Sequence, residues 1–482
     1  MGVSIWEGNK AQGVLDKLDK QNALLEVMVS SAVQTLSSDW AGLGNLADTG
    51  LFGQVYSISD RFTDEWTDIA NTTKYTFPMQ LNHIGDVELQ DGEILTDRPF
   101  LQLHYATPFG VQFSHQRAFT AAMFKVTTAL TNGTTYYWLR QSDNKYISFK
   151  APSTIATGQW LNFQNNRIEI YNTSGNLVTK VAATIGASAP SGTSLGNAPV
   201  IPAGPYYFTL ASNWGRNVVA NAVVSFTTTD DLQFGDKLCG CYGAPDQARA
   251  NWKVYPVTND GKTIGTALTI GTDTSGTNLG SVPYSSRSTT GDYFLNSIQE
   301  VAYGWNRWAA SALRQYCNSD SAVNAWWTAY DAFDVRPDEL STKAGWLSGW
   351  SDDFKEALKT IKVVTYPNTV HDDTSGNTPD ITYDKVFIPS LEQIYVNPQK
   401  AGEGEYHGYW KRKSGSSAPL AQQGTYPNMI TYAVENHTSP QSVRLRSAYR
   451  GYAYNTWDVS ASGIVNGSTA SYSFRFSPLV VL

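Results

Sequence analysis

The stretch Val443-Arg444-Leu445-Arg446-Ser447-Ala448-Tyr449-Arg450-Gly451-Tyr452-Ala453-Tyr454-Asn455-Thr456-Trp457-Asp458-Val459-Ser460 gathers three arginines, three tyrosines, a tryptophan, an asparagine and an aspartate into eighteen residues. Side chains of this kind bury much area at little rotamer cost and present planar hydrogen-bond donors, which is the chemistry of binding surfaces. The same residues also suit a half-buried hairpin in which Tyr and Trp serve only as strand formers. Residue types alone leave both readings open.

The rest of the chain sets the frame. A length of 482 residues exceeds one compact core, so about two to four domains are expected. Hydrophobic residues make up 41% and charged residues 16%, the balance of a folded chain and not a disordered one. Abundant Trp and Tyr with many Gly, Ser, Thr and Asn predict short strands and many turns. A net charge of -7 argues against a general nucleic-acid binder, because neutralising phosphates takes clustered cations. The longest basic run, Lys411-Arg412-Lys413, reads as a solvated loop. Cys239, Cys241 and Cys317 form neither a disulfide framework nor a zinc spacing, and read as small buried hydrophobes.

Near the start, Leu15, Leu18, Asn22, Leu25, Val29, Ala32 and Leu36 recur at alternating steps of three and four. That is the heptad seam of a short coiled coil, with Asn22 at a position that sets register. It predicts an N-terminal oligomerising or anchoring helix within residues 1–40 and a homo-oligomer, trimer or dimer. Residues 41–80, rich in Gly and aromatics, read as a connector packed on another surface. Residues 81–230 read as a β-sandwich-like module, in which Val87-Glu88-Leu89 followed by Asp91-Gly92 resembles a strand running into a tight turn. Its strands are Tyr136–Leu139, Tyr146–Phe149, Trp160–Phe163, Arg167–Tyr171, Pro205–Leu210 and Val223–Thr228, with a long loop between Ala182 and Pro202.

Residues 231–482 mix helices with irregular strands, an α+β pattern. Trp252–Ile270 reads as a hairpin around Asn259-Asp260-Gly261. A helix over 307–318 places Ala309, Leu313, Tyr316 and Cys317 on one face. Asp320 is placed to cap a second helix carrying Val323, Trp326 and Trp327, and Ser351 a third with Asp352 and Asp353 in its first turn. The overall expectation is a multidomain, mainly β chain with α+β character. No secretory signal is visible at the start and no stretch is long and apolar enough to span a bilayer. Synthesis in a bacterial cytoplasm without membrane insertion is therefore expected.

Several motifs in this last region carry a resemblance. They are Tyr303-Gly304-Trp305-Asn306-Arg307-Trp308, Ser311-Ala312-Leu313-Arg314-Gln315, Asn318-Ser319, Trp326-Trp327, Phe387-Ile388-Pro389-Ser390-Leu391-Glu392, Leu445-Arg446-Ser447, Gly451-Tyr452-Ala453-Tyr454 and Arg475-Phe476-Ser477-Pro478-Leu479. In this order they resemble an uncharacterised domain family of gut bacteria and their phages. That family is similar in layout to the C-type-lectin-like fold of formylglycine-generating enzymes and phage major tropism determinants. The resemblance covers roughly residues 296–482. It implies a phage virion protein whose C-type-lectin-like domain binds a glycan or protein on the host surface, beside other virion proteins. A capsid decoration or head-fibre role is the alternative.

The positions matching the display region of the tropism determinants are Arg446, Tyr449, Arg450, Tyr452, Tyr454, Asn455, Trp457 and Asp458. The Glu-Pro-Asn and Trp-Asn-Asp elements of calcium-dependent sugar binding are absent. So is any cysteine beyond Cys317, which removes the cysteine pair of the formylglycine-generating enzymes.

Catalytic patterns are sparse. The six histidines show no metal spacing, and His371-Asp372-Asp373 sits in a polar loop. Glu403 and Glu405, among Gly402, Gly404, Tyr406, His407, Tyr409 and Trp410, are the best acid–base pair for a carbohydrate-active enzyme. Two residues apart on a strand, however, they share a face at only about 7 Å, and the flanking glycines suggest a mobile loop. The expectation is no enzyme, no cofactor and no metal.

Overall fold

A computed structural model describes residues 16–23, 39–120, 122–164, 166–173, 177–210, 223–241, 253–257, 265–271, 273–282, 298–331, 333–369, 376–394, 398–414 and 426–482. The chain is mainly β, divided among several sheets with short helices between them. Strand β1 (Arg61–Asp68) pairs antiparallel with the long β2 (Thr73–Glu88), setting Trp66 opposite Tyr75. Phe77, Met79 and Leu81 alternate inward along β2 and are sealed. At the expected Asp91-Gly92 turn, Gly92 takes φ +90 and the chain doubles back as β3 (Ile94–Leu103). The neighbour of β3 is not the next strand in sequence. Leu479–Val481 pairs with it, and Val386–Phe387 pairs with Leu479–Val481 to complete five strands.

One aromatic core covers this sheet. The Trp66 and Trp346 rings stack at 4.5 Å, and Trp66 Nε1 donates to the Trp346 carbonyl at 2.9 Å. Helix α1 (Trp40–Asp48) starts at Asp39, whose carboxylate accepts from Gly42 N at 2.8 Å. Its Trp40 ring meets Phe354 edge-on at 4.8 Å, and Phe354 meets Trp350 at 4.4 Å. Each such ring removes about 150–250 Å² from water, so the tryptophan-rich composition serves a core as well as any surface.

Three expected boundaries therefore move. Residues 41–80 are not a connector, and 81–118 are not the start of a separate module. Both contribute residues to the same core as Trp308, Trp346, Phe354 and Leu479–Leu482. The surface on which the 41–80 stretch packs is the chain's own C-terminal part. The 230/231 boundary fails for the same reason, since strand pairing across several hundred residues, not local composition, sets the limits of a core.

The middle module has its own core of Trp138, Ile147, Phe149, Leu161, Phe163, Ile168, Ile170 and Phe234. Around it run β4 (Thr135–Arg140), β5 (Lys145–Lys150), β6 (Trp160–Gln164), β7 (Arg167–Tyr171) and β8 (Leu177–Gly186). Strand β8 serves both halves of the sheet: Leu177–Ala182 pairs with β7, and Ala183–Gly186 with β5. Residues 182–202 are not one loop. They finish β8, then supply Thr193–Asn197 parallel to β4 and the short Val200–Ile201. Gly192 allows that close approach, since a Cβ there would lie 2.4 Å from the Thr135 carbonyl. Gly204–Leu210 and Val223–Thr228 pair in a further sheet.

The module leaves and rejoins the first body side by side, where Ala118–Thr120 pairs with Lys237–Cys241. Lys253–Val257 lies beyond Lys237–Cys241, and Val254 bridges antiparallel to Leu268; the expected turn at Asn259-Asp260-Gly261 falls outside the described residues. At this junction the sealed Arg117 bonds Asp331 and Asp334, both at 2.7 Å, and lies over Trp305 at 4.3 Å. Cys239 and Cys317 are free thiols and buried, as small hydrophobes.

The helices expected beyond residue 300 are present in part. Ser311 caps α2 (Ala312–Cys317) by accepting from Arg314 N, and this cap shortens the helix expected over 307–318. Leu313, Tyr316 and Cys317 are sealed. Ser351 caps α3 (Asp352–Ala357) as expected. No helix forms over residues 320–331. That segment makes turns, yet Trp326 and Trp327 are buried by the main core. The basic run lies not in a loop but in helix α4 (Gly408–Ser414), favourably placed at its C-terminal end.

Of the N-terminal seam, Leu18 and Asn22 lie on a helical stretch over 16–23 and are exposed. Leu15, Leu25, Val29, Ala32 and Leu36 fall outside the described residues. No helix among the described residues is long and apolar enough to cross a membrane.

Candidate functional site

The opening stretch folds as β9 (Val443–Ala448) and β10 (Asn455–Val459), followed by β11 (Val465–Thr469). Every residue of β9 is buried. Both of its faces are covered, so alternation sends neither face to solvent. Arg444 donates to Thr456 Oγ1 at 2.6 Å and to the carbonyls of Ser468, Thr469 and Tyr472. Arg446 donates to the Ile388 carbonyl at 2.9 Å, to Gln393 Oε1 at 2.5 Å and to the Glu403 carbonyl. Burial lowers the pKa of both guanidinium groups to about 10, opposed by Asp458 beside Arg444 and by Glu403 beside Arg446. Both stay charged at neutral pH.

This overturns part of the expected display surface. Arg446, Trp457 and Asp458 are 2%, 1% and 2% exposed, so they cannot meet a ligand. They are internal braces, and burial raises the Asp458 carboxyl to about 6 against the pull of Arg444.

The remaining five candidates occupy or flank the turn between β9 and β10. Tyr449 stacks on Trp457 at 4.7 Å and meets Tyr452 edge-on at 5.1 Å. Tyr452 meets Tyr454 at 5.7 Å, and Tyr454 stacks on Tyr303 at 5.1 Å. Tyr452 is 40% exposed, and the others are partly so or line the cluster. Arg450 is held beside them by donation to the Pro367 carbonyl at 3.0 Å and to that of Gly376.

The turn is fixed from below by Asn306, a fully buried amide. Its Nδ2 donates to the carbonyls of Tyr452 and Asn455 at 2.7 and 2.6 Å and approaches that of Tyr449 at 3.4 Å. Its Oδ1 accepts from Asn368 at 2.9 Å. The surrounding motif positions that amide. Gly304 takes φ +84 where a Cβ would lie 2.5 Å from the Ser114 carbonyl. Arg307 forms a two-pronged pair with Asp380 at 2.7 and 2.8 Å. Sequence reasoning placed Asn306 in a motif without a role; only the fold brings it under the turn.

A second feature is a cleft of about 270 Å³ between β2 and the segment Gly402–His407. Here the two acids separate. Gly402 and Gly404 both have positive φ, at 108 and 142, turning Glu403 inward and Glu405 outward. Glu403 accepts from Tyr366 N at 2.8 Å and from Ser447 Oγ, and burial raises its pKa against the opposing charge of Arg446. Glu405 is 83% exposed, 3.4 Å from His83 Nε2. The segment is anchored and not a loose loop, since Glu392 accepts from Gly402 N and Glu403 N at 2.8 and 2.7 Å.

His83 and His407 stack at 4.9 Å with rings 5° apart. Burial lowers both pKa values; His83 itself and Arg446 add to the effect at His407, while Glu405 opposes it at His83. Sequence reasoning did not connect these histidines, which lie more than three hundred residues apart.

Among the described residues no group of three or more acidic, His or Cys side chains could hold a metal ion. His371, Asp372 and Asp373 fall outside the described residues. No curated protein and no solved structure matches the chain. A domain family of unknown function, DUF6273, matches residues 290–481, the region that contains Asn306, the tyrosine turn and the Gly402–His407 side of the cleft.

Proposed function

We propose that this chain is a phage virion protein that binds a host-surface glycan or protein through a C-type-lectin-like C-terminal body. The observation that carries this reading is the pairing of an exposed tyrosine turn with a buried amide that fixes it. Tyr449, Tyr452 and Tyr454 present rings beside Arg450 while Asn306 holds three carbonyls of the turn from inside. Such preorganisation lowers the ordering cost of binding, and tyrosines offer stacking faces with polar tips. The mixture of short helices and irregular strands, closed by Leu479–Val481 returning to β3, is in keeping with a lectin-like body. Self-association through the N-terminal seam would multiply weak contacts into avidity.

The arrangement of Glu403 favours binding over hydrolysis. A glycosidase needs two carboxylates free to act across a sugar, and both oxygens of Glu403 already accept protein hydrogen bonds. The test is the binding of labelled full-length chain to gut-bacterial cells. The triple variant Tyr449→Ala, Tyr452→Ala, Tyr454→Ala should lose binding while it folds and assembles into particles. Loss of assembly with binding retained by the free chain would favour a capsid decoration or head-fibre role.

A further inference from the structure

We infer that the face formed by the start of β1, the end of β3 and the C-terminal end of α4 is an oxyanion site, taking a phosphate-type dianion through Arg61, His104, Lys413 and His437. It shares no residue with the tyrosine turn and does not rest on it. Strand pairing brings the groups together. Arg61 lies opposite Gln80, and Gln80 opposite Gln102. Opposed residues share a face of a sheet, so these three and His104, two residues past Gln102, stand on one side. His104 Nδ1 lies 2.7 Å from Gln80 Oε1, and Trp410 of α4 donates Nε1 to Gln102 Oε1 at 3.1 Å. Lys413 Nζ lies 5.2 Å from the Trp410 ring. His437 stacks on Tyr105, the neighbour of His104, at 4.1 Å with the rings 5° apart. Arg61 and His437 are exposed while His104 and Lys413 are half-buried, so a ligand can reach all four.

The protein does not neutralise this face. Arg61 and Lys413 have no carboxylate partner among the described residues, unlike Lys74 with Glu65 or Lys362 with Glu88. The nearby acids are engaged elsewhere: Glu435 holds Arg475 at 2.7 Å, and Asp60 accepts from Ser57 N at 2.7 Å. Arg412 is turned to the Ile58 carbonyl at 2.9 Å. Burial lowers the pKa of His104 to about 4, and Arg61, Lys413 and His437 push it the same way with no acid opposing them. Two fixed positive charges, with two imidazoles able to add more, suit a dianion better than a monocarboxylate.

The amide network sets the tautomer of His104. Gln80 Nε2 donates to Asn82 at 3.0 Å, which leaves Gln80 Oε1 to accept, so the His104 proton sits on Nδ1. Nε2 takes no protein bond among the described residues and is not sealed. In the neutral ring it carries a lone pair, which repels an oxyanion. A dianion seated there favours the protonated ring. Binding therefore takes up a proton, and affinity must rise as the pH falls toward the range in which the free imidazole titrates.

The full-length chain would be titrated by calorimetry at constant ionic strength with sulfate, inorganic phosphate, glucose 1-phosphate and acetate. Sulfate stays a dianion throughout, so its pH dependence reports the protein's protons alone. It should bind at least about threefold more tightly at pH 5 than at pH 7, and His104→Gln should flatten that dependence. Arg61→Gln and Lys413→Gln should each weaken sulfate by about threefold or more, while Lys74→Gln, on a cation already paired with Glu65, should not. A melting curve checks that the variants fold. Tighter binding of glucose 1-phosphate than of phosphate would make a phosphorylated sugar the source of the anion, and equal affinity a free anion; either supports the site. Failure of the folded chain to bind sulfate and phosphate would overturn it. So would equal affinity for acetate, or binding unchanged in both Arg61→Gln and Lys413→Gln.

Discussion

Replacing Asn306 by Ala tests whether the tyrosine turn is held from beneath. The side chain makes two good bonds to the carbonyls of Tyr452 and Asn455 and accepts one from Asn368. At a net value of about 1 kcal/mol each, their loss costs about 3 kcal/mol. The turn is local, so the cost should appear as local opening and not as global unfolding. Amide exchange read by mass spectrometry resolves this, because Tyr449 N and Tyr452 N are bonded within the turn. Opening made easier by about 3 kcal/mol speeds their exchange by about a hundredfold, while amides of β2 and of the middle module stay unchanged. Asn306→Asp should be more damaging than Ala, since a carboxylate cannot donate and would meet carbonyl oxygens. Exchange at 449–455 within about threefold of the parent would refute the reasoning.

Four other outcomes follow from the geometry. Gly304→Ala forces a Cβ onto the Ser114 and His115 carbonyls at positive φ and should cost at least about 2 kcal/mol in a denaturant titration. Glu403→Ala removes the charge beside sealed Arg446 and should destabilise by about 3 kcal/mol, as expected on breaking a buried pair; a change below about 0.5 kcal/mol would contradict this. Burial lowers His104 to about 4 and also lowers His83 and His407. The unfolded chain then takes up protons below about pH 6.5 while these folded imidazoles do not. Their stabilisation is complete above that value and is lost on acidification, so the denaturation midpoint should fall from pH 7 to 5, less steeply in His407→Phe. Leu18→Asp with Leu25→Asp should give a monomer by light scattering; an unchanged mass would rule out the heptad seam.

Local signals were legible where the chemistry is local. Ser351 before two acids, the Asp91-Gly92 turn and the alternating strands of the middle module all lie where a side chain's own neighbours decide the outcome. Pairing partners were not legible. Nothing around Leu479 states that it lies beside β3, and that pairing is one of those that join residues 40–118 to the C-terminal body. Arg446, Trp457 and Asp458 misled because charged and aromatic types were read as outward-facing, whereas β9 is covered on both sides. One sign of this was available, the apolar Val443 and Leu445 alternating with Arg444 and Arg446, which leaves buried guanidinium groups in need of carbonyls. The cleft had no comparable signal, since β2 supplies His83 and the distant 402–407 segment supplies Glu405 and His407.

The most direct measurement is nitration of tyrosines by tetranitromethane on the full chain, free and bound to bacterial cells. Tyr330, Tyr432, Tyr452 and Tyr472 are the most exposed described tyrosines, at 52%, 38%, 40% and 39%, and should all react in the free chain. On binding, Tyr452 and its neighbour Tyr454 should be protected while Tyr432 and Tyr472 remain reactive. Equal modification of Tyr452 in the free and bound chain, with protection elsewhere, would contradict the assignment of the pinned turn as the contact face.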